Sequence, residues 1–426
     1  MPVTLADWLA HLESLHPKTI ALGLERVDEV RKRMGLVPSF SVIVVGGTNG
    51  KGSACAMLES ILSAAGYKVG CYTSPHLLHY NERVRIAKRM VTDEALCVSF
   101  ERVEEARGDT QLTYFEFGTL AAMQVFIEQN VDVAILEVGL GGRLDAVNIF
   151  DGDCALVTSV DIDHTDYLGD TVEKIGFEKA GIYRKDKVAI FSGDAVPESL
   201  VGHAEKIGAR LWRIGREFRF VRHQGQWDFE SQAGKKSALP IPALRGAFQL
   251  NNASAVLAAL DALRDRLPVS MEAVRRGLVE VQLAGRFQFL PGKPDLILDV
   301  AHNPHAARAL AKNLEGLPPS AHVYAVFAML KDKDVKGVIE ALNPHVDTWL
   351  AAGIAAPRGM DSSELASLLG KTGVRGNVLY FSDVPEAIKH ACNVSGENDR
   401  IIAFGSFYTV AQVMQAVHEG CARRIR

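Results

Sequence analysis

Short apolar runs alternate with amphipathic stretches along most of this chain. In the first half the runs are "SVIVVGG", "KVGCYTS", "VDVAILEVG", "CALVTSV" and "KVAIFSG", and helical patterns separate most of them. This alternation predicts βαβ units and a mostly parallel sheet. The polar stretch at 219–242, "RFVRHQGQWDFESQAGKKSALPIP", instead predicts β-hairpins or loops.

The same alternation of apolar runs and helical patterns begins again near residue 285. The runs there are "PDLILDVAHNP", "HVYAVFAML", "DTWLAAG", "NVLYFSD" and "RIIAFGS". They predict a second, smaller Rossmann-like α/β domain of about 140 residues. We therefore expect two domains, at 1–284 and 285–426.

Composition narrows the class of protein. The chain has 426 residues, 48% of them hydrophobic, and a net charge of −4, so it offers no broad basic field for nucleic acid. Its six cysteines form no C-x-x-C pair, which favours reduced thiols. The first residues do not resemble a signal peptide, and no apolar run is long enough to span a bilayer. We expect a cytoplasmic protein without a membrane partner.

The stretch "VVGGTNGKGSACAMLES" at 44–60 places a glycine-rich turn between an apolar run and a helical pattern. A helix N-terminus with free backbone N–H groups favours an anion. Lys51 would meet the phosphates of a nucleotide, and Ser53 could offer its hydroxyl to Mg²⁺. The usual P-loop pattern is not met, because Val45 replaces its first glycine and Gly52 separates lysine from serine. A bare strand-to-helix turn is the alternative.

Several polar residues follow predicted strands. Glu137, Ser74 and His164 come at or after the carboxyl ends of strands in the first half, and Asp299 does so in the second. Ligands of open parallel sheets gather at that edge. Taken alone, a histidine in such a place is more often a capping or core residue, whereas a carboxylate that ends a buried strand needs a partner.

Three helix starts carry further predictions. "DTVEKIGFEKAGIY" predicts a helix from Asp170 with Glu173 as capping-box partner, and Lys179 falls on its apolar stripe. An inward lysine loses hydration and its pKa falls, although a lysine can also extend its amine into solvent. Thr113 and Glu116 have the spacing of a capping box, and Asn252 is expected to be an N-cap.

Eight motifs in order resemble the folylpolyglutamate synthase and dihydrofolate synthase family, relatives of the Mur peptidoglycan ligases. They are "GTNGKGS", "TSPHL", "LEVGLGGRLDAVN", "DHTDYLG", "EKAGI", "GRFQ", "LDVAHNP" and "FGSFYTV". The resemblance implies a Mur-ligase-like fold and an ATP- and Mg²⁺-dependent ligase, expected to be a monomer. Such an enzyme activates the carboxylate of dihydropteroate or a reduced folate as an acyl phosphate and joins it to L-glutamate.

The resemblance also implies roles for individual residues. It assigns ATP contacts to Asn49, Gly50, Lys51, Gly52, Ser53, Asn252, Arg286 and Asp299, and Mg²⁺ to Ser53, Ser74, Glu137 and His164. It assigns pterin contacts to Thr113, Tyr114, Phe115, Glu116, Leu144, Asp145 and Ala146, with a contribution from "IALGLERV" at 20–27. It further implies catalytic roles for Lys51, His164, His302 and a carbamylated Lys179, and places Ser406 near the site.

Four alternatives stay open. A monofunctional folylpolyglutamate synthase would extend folate tails only, and another Mur-type ligase would accept a nucleotide-linked peptide. A non-enzymatic nucleotide switch would need the loop but not the residues at three further strand ends. A structural α/β protein that has lost its site is disfavoured, because Lys51, Glu137, His164 and Lys179 are all present.

Overall fold

A computed structural model describes residues 2–16, 20–356 and 358–420. The chain divides into two compact units. The N-terminal unit comprises the residues up to 243 together with 249–281, and the C-terminal unit comprises 244–248 and the residues from 282 onward. Cys421 lies outside the described residues, and the five described cysteines form no disulfide.

The N-terminal unit is built on an eight-stranded sheet with the order β4-β3-β2-β5-β1-β6-β7-β8. Its strands are β1 (Ser41–Gly46), β2 (Val69–Tyr72), β3 (Val84–Ile86), β4 (Arg89–Met90), β5 (Val133–Glu137), β6 (Cys154–Val157), β7 (Val188–Phe191) and β8 (Arg210–Arg213). All pairs are parallel except those that β3 makes with β2 and β4. The mostly parallel sheet predicted from the apolar runs is confirmed.

A separate antiparallel sheet fills the polar stretch of the sequence. Its strands are β9 (Phe218–Arg222), β10 (Gln226–Ser231) and β11 (Gly234–Pro240), so the prediction of hairpins there is also confirmed. The helices of the unit are α1 (Leu5–Ser14), α2 (Glu25–Met34), α3 (Lys51–Ala64), α4 (Asp93–Arg107), α5 (Tyr114–Glu128), α6 (Thr165–Leu168), α7 (Val172–Ala180), α8 (Glu198–Ile207), α9 (Gln249–Ala262) and α10 (Met271–Glu280).

Strands β1 and β5 lie at the centre of this sheet and are completely buried. Strands covered on both faces consist almost wholly of apolar residues, as these do. Their register places Glu137 opposite Val45, one residue before β1 ends. The carboxylate and the glycine-rich loop therefore leave the sheet at the same edge.

The C-terminal unit has a six-stranded sheet with the order β12-β13-β17-β14-β15-β16. Its strands are β12 (Gln288–Leu290), β13 (Asp295–Leu298), β14 (Val323–Phe327), β15 (Thr348–Ala352), β16 (Asn377–Phe381) and β17 (Arg400–Phe404). Its helices are α11 (Pro304–Glu315), α12 (Val335–Leu342), α13 (Ser362–Thr372), α14 (Val384–Val394) and α15 (Phe407–His418). Only β12 is antiparallel to its neighbour, so the predicted second α/β sheet is confirmed.

The helices of the described residues are not suited to a bilayer core. Within the described ranges, every helix is too short or too polar to cross a membrane.

Candidate active site

The glycine-rich loop joins β1 to α3. Gly50 has a φ of +87° directly before Lys51, the first residue of the helix. The Lys51 ammonium donates to the carbonyl oxygens of Gly47 and Thr48 at 3.0 and 3.2 Å. A cation and a helix N-terminus therefore lie together, which is the arrangement that binds phosphate.

Residues that follow β6 hold this loop in place. The Asn49 N–H donates to Ser159 Oγ at 3.0 Å, and Thr158 Oγ1 donates to the Asn49 carbonyl at 2.6 Å. The Asp161 N–H donates to Thr48 Oγ1 at 3.0 Å. These three hydrogen bonds fix the glycine-rich loop against the segment that leads from β6 to His164.

Asn252 contacts the loop from inside a helix. The expectation that it is an N-cap is wrong, because α9 begins three residues earlier, at Gln249. Asn252 is buried, and a Cβ atom on Gly50 would lie 2.6 Å from its Oδ1. Gln249 Nε2 donates to Ser53 Oγ at 3.4 Å. The first turn of α9 therefore packs directly on the loop and on the first turn of α3.

Glu137 and Ser74 are brought together at the ends of neighbouring strands. Glu137 ends β5 and is only 4% exposed, and its Oε2 accepts a hydrogen bond from the Ser74 N–H at 3.2 Å. His164 directly precedes α6 with a φ of +52°, and its Nε2 lies 3.9 Å from Asp163 Oδ1. His164 occupies the N-cap position of α6, but its side chain makes no capping hydrogen bond.

These donors fit a hard cation of the magnesium type. In the described part of the chain, no group of three or more His, Cys, Asp or Glu side chains could hold a metal ion by itself. Mg²⁺ usually takes one or two protein carboxylates and completes its shell with waters and substrate phosphates. A buried carboxylate beside a serine, at the same sheet edge as a phosphate loop, meets that requirement.

Lys179 faces inward from α7, as its place on the apolar stripe predicts. It is 4% exposed, and burial lowers the pKa of its amine to about 7, with a smaller contribution from the charge of Lys51. The predicted capping box is wrong, because Thr171 caps α7 and accepts from the Lys174 N–H at 3.2 Å. Glu173 instead accepts from backbone N–H groups at the start of α8.

Asp145 is a second buried ionisable group near Lys179. Burial raises the pKa of its carboxyl to about 7, although hydrogen bonds and the charge of Lys51 act in the opposite direction. Its Oδ2 accepts from the Leu140 N–H at 2.8 Å, and its Oδ1 accepts from the Val147 N–H at 3.1 Å. The carboxyl is thus held by the loop that it belongs to.

Glu116 forms the predicted capping box at the start of α5. The Thr113 N–H donates to Glu116 Oε2 at 2.7 Å, and the Glu116 N–H donates back to Thr113 Oγ1 at 3.3 Å. Arg26 forms an ion pair of 2.8 Å with the other carboxylate oxygen. Segment 20–27 therefore does meet the Thr113–Glu116 segment, through a residue that sequence spacing alone could not single out.

Aromatic rings surround the start of α5. The Phe115 ring lies 5.8 Å from that of Tyr72, and the Tyr114 ring lies 5.8 Å from that of Tyr80. The Arg83 guanidinium lies 5.3 Å and 5.4 Å from the ring centres of Tyr80 and Tyr114. A pocket of about 500 Å³ lies nearby. It is lined by His16, Ile20, Ala21, Leu22, Arg26, Asp166 and Tyr167.

In the C-terminal unit, Asp299 organises the chain around Arg286. Its carboxylate accepts from the N–H groups of Phe287 and Ala301, both at 2.8 Å, and burial raises its pKa. Phe287 has a φ of +45°, so this contact stabilises an unfavourable backbone conformation next to Arg286. Asp299 therefore has a local structural role.

Arg286 and His302 lie on the same aromatic side chain. The Phe407 ring centre is 5.2 Å from the Arg286 guanidinium and 6.3 Å from the His302 ring. Ser406 caps α15 and accepts from the Thr409 N–H at 3.0 Å, so its side chain stabilises the start of this helix. The four predicted site residues of this unit thus lie on the segments after β13 and β17 and on the turn before β12.

Comparison with known proteins finds matches to two family models and to curated relatives. The model of the Mur ligase middle domain matches residues 45–260, and that of the Mur ligase glutamate ligase domain matches 285–407. The dihydrofolate synthase/folylpolyglutamate synthase of Escherichia coli (strain K12) is 46% identical over 97% of this chain and 95% of its own. The enzyme of the same name from Haemophilus influenzae is 41% identical over 97% of both chains.

Solved structures show the same likeness. E. coli FolC in complex with DHPP and ADP superposes with a TM-score of 0.93 at 45% identity, over 98% of each chain. A bifunctional folylpolyglutamate synthase/dihydrofolate synthase with Mn, AMPPNP and L-glutamate bound gives 0.90 at 45% identity, again over 98% of each chain. The predicted fold class is confirmed, and the chain belongs to the dihydrofolate synthase/folylpolyglutamate synthase family of Mur ligases.

Proposed function

We propose that this protein joins L-glutamate to dihydropteroate, forming dihydrofolate, and also to reduced folates, forming folylpolyglutamates. The observation that carries the proposal is the 46% identity to the E. coli dihydrofolate synthase/folylpolyglutamate synthase over almost the entire length of both chains. The phosphate-binding loop, the carboxylate at the neighbouring strand end and the buried Lys179 support it.

The proposed reaction has two steps. The γ-phosphoryl group of ATP passes to the acceptor carboxylate, giving ADP and an acyl phosphate. The amine of glutamate then attacks the acyl carbon, so that a C–N bond forms, the C–O bond to phosphate breaks, and the amine loses a proton. Phosphoryl transfer depends mainly on positioning and on neutralising charge.

The glycine-rich loop would hold the phosphates in the first step. Lys51 stands at the N-terminus of α3, where a cation and backbone N–H groups stabilise the charge that moves from ATP. Asn252 would fix Gly50 and so the path of the loop. We retain as further ATP contacts Asn49, Gly50, Gly52, Ser53, Asn252, Arg286 and Asp299. His302 is retained as a catalytic residue.

We propose Mg²⁺ as the divalent cation, held by Glu137 and the hydroxyls of Ser74 and Ser53, with His164 as a further ligand. Its chemical contribution would be to neutralise the charge on the phosphates. The relative that binds Mn together with AMPPNP supports the use of ATP with a divalent metal.

Lys179 has the properties of a carbamylation site. Its amine is buried, and a pKa of about 7 leaves a large neutral fraction near neutral pH. Only the neutral amine attacks CO₂, forming an N–C bond and releasing a proton. The charge of Lys51, which contributes to the lowered pKa of the Lys179 amine, would favour the resulting carboxylate at this position.

We place the acceptor pocket at Thr113–Glu116 and at Leu144, Asp145 and Ala146. The rings of Tyr114 and Phe115 provide flat apolar area, and the carboxyls of Glu116 and Asp145 are fixed by backbone N–H groups. Rings and fixed hydrogen-bonding groups together suit a flat heterocycle such as a pterin.

The test is ADP release with Mg·ATP and L-glutamate, comparing dihydropteroate, tetrahydrofolate monoglutamate and no acceptor. We expect glutamate-dependent release with both acceptors. ADP release with tetrahydrofolate monoglutamate but not with dihydropteroate would restrict the activity to the extension of folate tails. No release above the blank from a folded, ATP-binding protein would refute the acceptor, and nucleotide-linked peptides would be tested next.

A further inference from the structure

Arg85, in β3, is the centre of a buried polar cluster in the N-terminal unit. Its Nη2 donates to Glu59 Oε2 at 2.8 Å, and its Nε lies 3.1 and 3.2 Å from the two oxygens of the same carboxylate. Its Nη1 donates to Thr73 Oγ1 at 3.1 Å and to the Glu82 carbonyl at 2.7 Å. Nη2 also lies 3.3 Å from Cys71 Sγ.

Two partners of Arg85 come from the elements that carry the proposed ATP and metal sites. Glu59 belongs to α3, the helix that begins with Lys51. Thr73 directly precedes Ser74, whose N–H donates to Glu137. One guanidinium therefore connects the phosphate-loop helix to the segment that carries a proposed metal ligand.

Stability alone does not explain a charged pair in this place. The side chains of Arg85 and Glu59 are only 19% and 7% exposed. Apolar residues of similar size are often as stabilising as a buried ion pair, because desolvation of both charges offsets their attraction. The planar guanidinium group does, however, fix the positions of its hydrogen-bond acceptors relative to one another.

We propose that Arg85 is a positioning residue, which holds the Thr73–Ser74 segment at a fixed distance from α3 so that Ser74 and Glu137 can receive the divalent cation beside the phosphates. This inference rests on the proposed function, since it needs the metal site there. Residues that orient metal ligands typically change metal affinity by about 10–100-fold when replaced.

The test removes one link and leaves the buried ion pair intact. Thr73→Val deletes the hydroxyl that accepts from Arg85, whereas Thr73→Ser retains it. Thr372→Val in α13 is the matched control, because Thr372 is also partly buried and its hydroxyl donates to the Leu368 carbonyl at 2.8 Å. Mn²⁺ binding in the presence of AMPPNP is titrated from the electron paramagnetic resonance signal of free Mn²⁺.

We expect Thr73→Val to weaken Mn²⁺ binding about tenfold, and the serine and control variants to stay within about twofold of the wild type. Excess Mn²⁺ should restore the turnover of Thr73→Val. Wild-type affinity in folded Thr73→Val, or equal losses in the valine and serine variants, would overturn the positioning role. If the wild type itself bound no Mn²⁺ with AMPPNP, the proposed metal site would fail together with the inference.

Discussion

Replacing Lys179 by methionine should stabilise the protein while it abolishes the ligase activity. Lys179 is buried in α7, and the pKa of its amine falls from an ordinary value of 10.5 to about 7, chiefly through desolvation. Between these two values the unfolded chain binds a proton that the folded chain lacks. Folding is therefore penalised, and the penalty becomes smaller as the pH rises.

The size of the penalty follows from the two pKa values. A difference of about 3.5 pKa units corresponds to about 5 kcal/mol, which is the full cost below pH 7. The cost decreases above that pH and disappears near 10.5, the ordinary pKa of the amine. Between about pH 7 and about pH 9 the stability gap between Lys179→Met and the wild type should narrow by about 2 kcal/mol. Asp145, with a pKa of about 7, is largely ionised over most of this window.

Urea unfolding of both proteins at several pH values, in buffer freed of CO₂, measures the gap. Lys174→Met on the same helix is the control, because the Lys174 side chain is 63% exposed and its substitution should shift stability by no more than about 0.5 kcal/mol at any pH. A gap for Lys179→Met that does not change with pH would refute the argument that burial holds this amine uncharged. Adding ¹³C-bicarbonate to the wild type should then produce a carbamate signal that Lys179→Met lacks.

Three further substitutions test the loop and the acceptor pocket. Gly50→Ala would place a Cβ 2.6 Å from Asn252 Oδ1 and should raise the KM for ATP at least about tenfold. Gly66→Ala is the control, because Gly66 has a similar φ and its Cβ would meet no atom within 4 Å. This control should lose only about 1 kcal/mol of stability. Asp145→Asn places an amide N–H₂ against a backbone N–H that the carboxyl now accepts from, so the KM for dihydropteroate should rise. Glu116→Gln weakens the charge-assisted contacts of the cap, and should raise the KM for dihydropteroate and leave that for ATP unchanged. Equal changes in both KM values would contradict the assignment of Glu116 to the acceptor pocket.

The sequence predicts the central strands well because burial on both faces makes them continuous apolar runs. It does not predict β3, β4, β8 or β12, which are short and lie at or next to the edges of their sheets. Edge strands often carry charged residues that discourage pairing with other chains, so their pattern resembles that of a loop. The strand "RLWR" at 210–213 is an example.

Helix starts are harder to predict when two residues suit the cap equally well. Asp170 and Thr171 are neighbours with similar preference for this position, and the cap is Thr171. Asn252 has the chemistry of a cap, but α9 extends back to Gln249, which reaches Ser53. In both places local preference leaves the outcome open, and at α9 a contact with a distant segment accompanies it.

Contacts between distant segments are the part of the site that no local pattern contains. Arg26 and Glu116 are 90 positions apart, and Arg85 meets Glu59 across 26 positions. Alternation of apolar and polar residues indicates which face of an element is buried, but it does not indicate which charges meet there. The positions at strand ends are predictable, whereas the residues that orient them are not.

Three carboxylates of the proposed site are held in the same way. Glu137, Asp145 and Glu116 each accept a hydrogen bond from the N–H group of a loop or helix-cap residue. A backbone donor has no side-chain freedom to lose, so each carboxylate is oriented before any ligand binds. The orientation of these carboxylates therefore resides in loops after strands and in one helix cap. For this reason a change in loop conformation, such as an added Cβ at Gly50, should impair the site as severely as the loss of a charged side chain.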